Sequence, residues 1–329
     1  MINLNEVISS PNTLHCVYRQ GYVFTSIDNP ANVLDAIVIR APEDCDCWSP
    51  QKSHTDRTLE EIIEFVNVEK LEKAFIIAED LSFLDRCASL KHIEIIPADS
   101  TSTEFDYSPL SKLPHLETLT CKTRFGGPKE HRSAIIDFSD LSHLRNLNLF
   151  GDNHCHCDKL THLDVLEVSE SKKLQSISCF SSSIGLRKMS LTHCGLKALH
   201  GISNFRNLQE LSLAYCRTLE DVNSISTVSS TLRSLNIESC PQIQNFDFLG
   251  DLKNLEYLFL SGSNSIPNLN FLNQMSHLKV FVFSIKVVNG DLSPCMQIPY
   301  VSVTKGKKNY NMRDSSLPKQ LPTEDFTLH

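Results

Sequence analysis

Three nine-residue segments repeat one pattern, Leu-x-x-Leu-x-Leu-x-x-Cys: LRKMSLTHC from Leu186 to Cys194, LQELSLAYC from Leu208 to Cys216 and LRSLNIESC from Leu232 to Cys240. Met189 and Ile237 stand in for leucine. The segments begin 22 and 24 residues apart, too close for each to be a domain and too regular for chance. A unit of this length supplies one short strand and cannot bury its own leucines. Successive units must therefore stack, their strands side by side in a parallel sheet over a continuous apolar core.

Repeat starts extend well beyond these three. Leu116, Leu144, Leu163, Leu186, Leu208, Leu232, Leu255 and Leu278 follow one another at spacings of 28, 19, 23, 22, 24, 23 and 23. Upstream, LEKAFII at Leu71 and LKHIEII at Leu90 fit the same strand template, LDAIVI (Leu34 to Ile39) is a looser copy, and IPYVSV (Ile298 to Val303) reads as a last strand. Between strands, Leu196, Leu199, Ile202 and Phe205 keep an apolar spacing of three, which suits short 3-10 or helical turns behind the sheet.

This array resembles the short, 22-residue class of leucine-rich-repeat proteins, including bacterial internalin-like arrays. The resemblance is specific over residues 110 to 290 and looser from 34 to 109. It implies an α/β solenoid, a leucine-rich-repeat horseshoe with a parallel concave β-sheet, short convex 3-10 or helical segments and an irregular N-terminal cap. In this reading residues 1–69 form the cap, 70–303 the solenoid and 304–329 a polar, loose tail. The cap carries a hairpin turning at Gln20-Gly21, a polar loop from Glu43 to Arg57, and a helix in TLEEIIEFV, with Thr58 and Glu61 spaced for a capping box.

A formal charge of -8 and a pI near 5.9 argue against a nucleic-acid binder, since phosphate recognition leaves a basic excess or stripe. The N-terminus lacks the basic and apolar regions of a secretory signal, and no run reaches the roughly 18 apolar residues of a membrane span. Twelve cysteines, several at repeat-defined positions, point to a reduced cytoplasm rather than a disulfide framework.

Cys194, Cys216 and Cys240 are read as structural, small buried groups whose S–H bonds the turn backbone; Cys121 belongs with them. His154-Cys155-His156-Cys157 and Cys45-Asp-Cys47 carry metal-ligand chemistry, but alternating residues of an extended segment point opposite ways. The expectation is therefore a polar inter-repeat loop with Cys155 or Cys157 packed inward, and no metal or cofactor. No G-x-S-x-G, H-E-x-x-H, P-loop or G-x-G-x-x-G motif occurs, so the chain is expected not to be an enzyme. Some bacterial leucine-rich-repeat effectors carry a catalytic ubiquitin-ligase domain after the repeats; the short stretch after residue 303 has no cysteine, so a ligase is not expected here.

Residues between the inward leucines face the open sheet. Most such positions are polar, including Glu167, Glu210 and Glu238, which are expected to form an acidic rim. Tyr257 and Phe259 beside Val280 and Val282 are instead expected to make an apolar patch, the kind of surface that marks an interface. Phe150 and Tyr215 complete the candidate contact residues. The sequence thus points to non-enzymatic recognition of a protein partner, basic if the rim steers it, with no nucleic acid and no membrane. An inhibitor, immunity protein or adaptor fits such an array; a secreted bacterial effector or a metal-dependent module are the alternatives.

Overall fold

The computed structural model describes residues 13–19, 22–27, 36–40, 55–97, 105–125 and 132–322. The Gln20-Gly21 turn, Cys45, Cys47 and most of the Glu43 to Arg57 loop lie outside the described residues. The chain divides into two compact units, Met1–Leu163 and Asp164–His329.

In the first unit the strands are β1 (Thr13–Arg19), β2 (Tyr22–Ile27), β3 (Ala36–Arg40), β4 (Thr55–Thr58), β5 (Lys73–Ala78), β6 (His92–Pro97), β7 (Thr118–Lys122), β8 (Arg124–Phe125), β9 (Arg132–Ser133), β10 (Ile136–Asp137), β11 (Asn146–Phe150) and β12 (His154–Cys155). β1 and β2 pair antiparallel with Arg19 opposite Tyr22, and β4 adds antiparallel to β2. β1, β3, β5, β6, β7 and β11 then run parallel in that order. Helix α1 (Leu59–Val68) buries Ile63 and Val66. It ends where Lys70 turns left-handed, φ 52°, and Leu71 N–H closes back on the Val66 carbonyl at 2.9 Å, a stop made without glycine.

The second unit holds β13 (Val165–Ser169), β14 (Lys188–Thr192), β15 (Glu210–Ala214), β16 (Ser234–Glu238), β17 (Tyr257–Ser261), β18 (Ser265–Ile266), β19 (Val280–Phe283), β20 (Lys286–Val287) and β21 (Tyr300–Val303). Seven of these, β13 to β17 with β19 and β21, form a parallel sheet in chain order. The register aligns the template: Leu166, Met189, Leu211, Leu235, Leu258, Phe281 and Val301 sit opposite one another in turn. All seven are buried. Each such side chain contributes about 1.5–3 kcal/mol on burial, so the leucine spacing both sets the register and stabilises it.

Behind the strands run 3-10 turns, among them Asn223–Val228, Asp247–Asp251, Asn270–Gln274 and Ser293–Gln297. A short polar side chain opens each one. Asp221, Asn245, Asn268 and Asp291 accept the backbone N–H two residues on at 2.7–2.9 Å. Leu196, Leu199, Ile202 and Phe205, spaced by three, are all buried. This is the leucine-rich-repeat fold: parallel strands on one side, 3-10 turns on the other and one apolar core between them.

The residue after the repeat-start leucine is charged in every repeat from Leu71 to Leu278 except that of Leu208, which has Gln209. Lys91 pairs with Glu72, and Glu256 bridges Lys279 at 2.7 Å and Arg233 at 3.8 Å. Opposite signs on successive strands are held one strand spacing apart.

The segment after residue 303 is not a loose tail through residue 322. Val301 N–H donates to the Pro318 carbonyl at 2.9 Å, Gln320 N–H to Pro299 at 3.0 Å, and Leu317 is buried. Asp314 accepts from Val303 N–H at 2.7 Å. The physical cause is the last strand itself: β21 would otherwise present a row of unpaired backbone groups, and the polar segment satisfies them.

Candidate recognition face

In the second unit three columns of side chains line the open side of the sheet. Register puts Val165, Lys188, Glu210, Ser234, Tyr257, Val280 and Tyr300 in the first, and Glu167, Ser190, Ser212, Asn236, Phe259, Val282 and Ser302 in the second. The third runs Ser169, Thr192, Ala214, Glu238, Ser261. Small polar groups occupy the middle strands, and the bulk lies at one end. The result is a hollow of about 510 Å³ floored by Ser212, Ser234 and Asn236 and walled on one side by Tyr257, Phe259 and Val282.

Tyr257, Phe259 and Val282 are half-buried, as a sheet-borne apolar patch requires. Val280 departs from expectation. It is fully buried, because its small side chain lies in register between Tyr257 and Tyr300. Tyr300, with Lys319 Nζ 5.6 Å from its ring centroid, continues this column beyond Val280; it lies in the segment expected as a last strand but is not among the expected contact residues. Through residue 322 the C-terminal segment pairs with the edge of β21, and Tyr257 and Phe259 line the hollow.

The three glutamates expected to form an acidic rim differ in their surroundings. Lys188, one repeat back in the same column, reaches Glu210 at 3.4 Å, and Glu238 accepts the Tyr215 hydroxyl at 2.6 Å. Glu167 is half-buried opposite Ser190. The Lys188 ammonium offsets the charge of Glu210, whereas Glu238 keeps its charge, because its phenol partner is neutral.

Tyr215 lies just past the end of β15, at a position where the chain turns left-handed in every unit from Glu170 through His193 and Ser239 to Gly262. Backbone N–H groups there step from strand to strand, His193 to Ala214, Tyr215 to Glu238 and Ser239 to Ser261, at 2.8–2.9 Å. Tyr215 stacks on His193, and Glu238 beside its hydroxyl raises the phenol's pKa. Immediately after, Cys194, Cys216 and Cys240 point inward, each Sγ 3.4–3.6 Å from two backbone carbonyls. Hydrogen bonding with Cys216, then burial, holds the Cys194 and Cys240 thiols protonated.

In the first unit Phe75, Glu94, Thr120 and Asn148 make the corresponding central column. Burial raises the Glu94 carboxyl to about 6, with Lys122 acting against it. Nothing in the sequence singled out this residue, whose burial depends on what stacks on either side. Phe150 lies opposite Lys122, whose Nζ sits 5.7 Å from its ring centroid.

The His154 to Cys157 run splits in two. Cys157 is buried with Sγ 3.0 Å from His154 Nδ1, and burial lowers the pKa of that imidazole. Cys155 and His156 turn outward, where they meet Asp137, a residue outside the cluster in the sequence.

No protein-family model matches the chain, and no curated protein matches it. Among solved structures it is similar to an internalin (inlF) of Listeria monocytogenes, with 17% identity, a TM-score of 0.54, and 82% of this chain and 77% of the other covered. It is similar also to a leucine-rich-repeat protein of Leptospira interrogans, with 14% identity, a TM-score of 0.53, and coverage of 93% and 82%. Among the described residues no helix is long and apolar enough to cross a membrane.

Proposed function

We propose that this leucine-rich-repeat chain is a recognition protein that holds a protein partner against the open sheet face of residues 164–329. The carrying observation is the asymmetric hollow: a wall of Tyr257, Phe259 and Val282 beside a floor of serine and asparagine. Aromatic side chains give large contact area for little entropy, and the small polar floor admits a protruding side chain with hydrogen-bonding partners around it. With Glu210 and Glu238 internally engaged, affinity comes from this wall, and charge contributes orientation. The chain acts by occupying its target, in the manner of an inhibitor, immunity protein or adaptor. Its nine described free thiols, most of them buried, favour a reducing compartment such as the cytoplasm.

The test compares the full chain with a Tyr257→Asp, Phe259→Asp double variant of unchanged circular dichroism. Partners captured from native lysate are identified by mass spectrometry, and the leading one is purified for calorimetry. A partner bound by wild type and weakened at least about a hundredfold by the variant, the loss of roughly 3 kcal/mol expected of hot-spot residues, supports the reading. Equal affinity for both proteins overturns it.

A further inference from the structure

We propose that Asp137, Cys155 and His156 form a binding site for a zinc-class divalent cation on the 3-10 side of the first unit. β10 and β12 run parallel with Asp137 directly opposite Cys155. The next residue, His156, takes a left-handed conformation, φ 56°, and its Nδ1 comes within 2.8 Å of Asp137 Oδ1. A carboxylate oxygen, a thiol sulfur and an imidazole nitrogen thus lie within 4.8 Å of one another, the one such group among the described residues. Donors around a tetrahedral zinc, at bond lengths of about 2.0–2.3 Å, stand roughly 3.5 Å apart, so small side-chain rotations close the site.

Asp137 also has a structural task. Its Oδ1 accepts from Ser139 N–H at 2.8 Å, as Asp80 does from Ser82 and Asp106 from Ser108. Oδ2 takes no part in that cap. What distinguishes the Asp137 repeat is that the following one delivers a thiol and an imidazole onto the cap. Both are at least partly exposed, so an ion can enter, and three protein ligands leave a fourth position for water or an anionic ligand. One thiolate, one imidazole and one carboxylate suit zinc and its neighbours rather than magnesium or calcium, which take oxygen shells. Binding removes the thiol proton, so one proton leaves for each ion taken up.

The full chain, stripped with chelator and dialysed, is titrated with zinc chloride by calorimetry and with cobalt(II) chloride by absorption. The expected result is one ion per chain bound at this site, with the visible bands of tetrahedral cobalt and a sulfur-to-cobalt charge-transfer band. Cys155→Ser abolishes the charge-transfer band. Asp137→Asn weakens zinc binding at least about tenfold, and His156→Asn, which tolerates the left-handed backbone, does the same. A Cys45→Ser, Cys47→Ser control leaves the signal unchanged. Absence of a stoichiometric site in wild type, or a signal that survives Cys155→Ser, overturns the proposal.

Discussion

The ring of Tyr215 lies almost flat on the imidazole of His193, centroids 5.0 Å apart and planes 13° from parallel. Both residues sit at the left-handed step that ends a strand, so the stack is a contact between successive turns of the repeat on its outer surface. Tyr215→Ala is expected to cost about 1 kcal/mol, the size of a single aromatic pair, measured by urea unfolding. A loss several times larger would mean that the left-handed turn itself depends on the ring.

Sheet-face and core positions differ by one residue and by an order of magnitude in consequence. Leu213 is fully buried, while its neighbour Ser212 floors the hollow. Leu213→Ala is expected to destabilise by about 3 kcal/mol and Ser212→Ala by less than about 0.5 kcal/mol. Equilibrium denaturation of the pair reads the orientation of β15 directly.

Gly195 admits no side chain. A Cβ there would stand 1.9 Å from the Lys172 carbonyl oxygen of the preceding repeat, against which Gly195 packs by donating its N–H to the Ser171 carbonyl at 2.9 Å. Gly195→Ala is expected to cost about 3 kcal/mol or more, as overpacking against backbone does. Thermal unfolding of wild type and variant side by side checks this.

Glu94 gives a pH signature. Its folded pKa, about 6, lies above the ordinary glutamate value of 4.5, so in the intervening window the folded state binds more protons than the unfolded state. Stability contributed by the protonated carboxyl is fully present below pH 4.5 and declines as pH rises to about 6, by at most about 2 kcal/mol. Glu94→Gln is expected to remove this decline and to be more stable than wild type at pH 7. Denaturation midpoints across pH 4 to 7 test it; parallel profiles for the two proteins would contradict it.

Much of the fold is written in the leucines, because a strand's side-chain period of two leaves one register in which Leu186, Leu208, Leu232 and their equivalents all face inward. The face beside them is legible for the same reason, down to Tyr257 next to Val280. What local pattern misses is whatever depends on the neighbouring turn. Val280 is buried by the rings on either side of it, and Lys188 neutralises Glu210 from one repeat away. Asp137 meets Cys155 only because the repeats stack. The left-handed step is equally silent, since Glu170, His193, Tyr215 and Ser239 occupy it in place of glycine. The segment after β21 looked too polar to pack, yet its partners are backbone groups, which composition does not reveal.

The alternating charge column constrains how such an array can change length. Excising the single repeat that carries Glu256 would set Lys279 beside Arg233, and excising the one that carries Lys91 would set Glu72 beside Glu117. At a strand spacing of about 4.8 Å, each change exchanges an attraction for a repulsion. Removing Lys91 and Glu117 together instead brings Glu72 to Arg145, and opposite charges meet again. Repeats that share one template are therefore not electrostatically interchangeable, each exposed pair contributing a small increment.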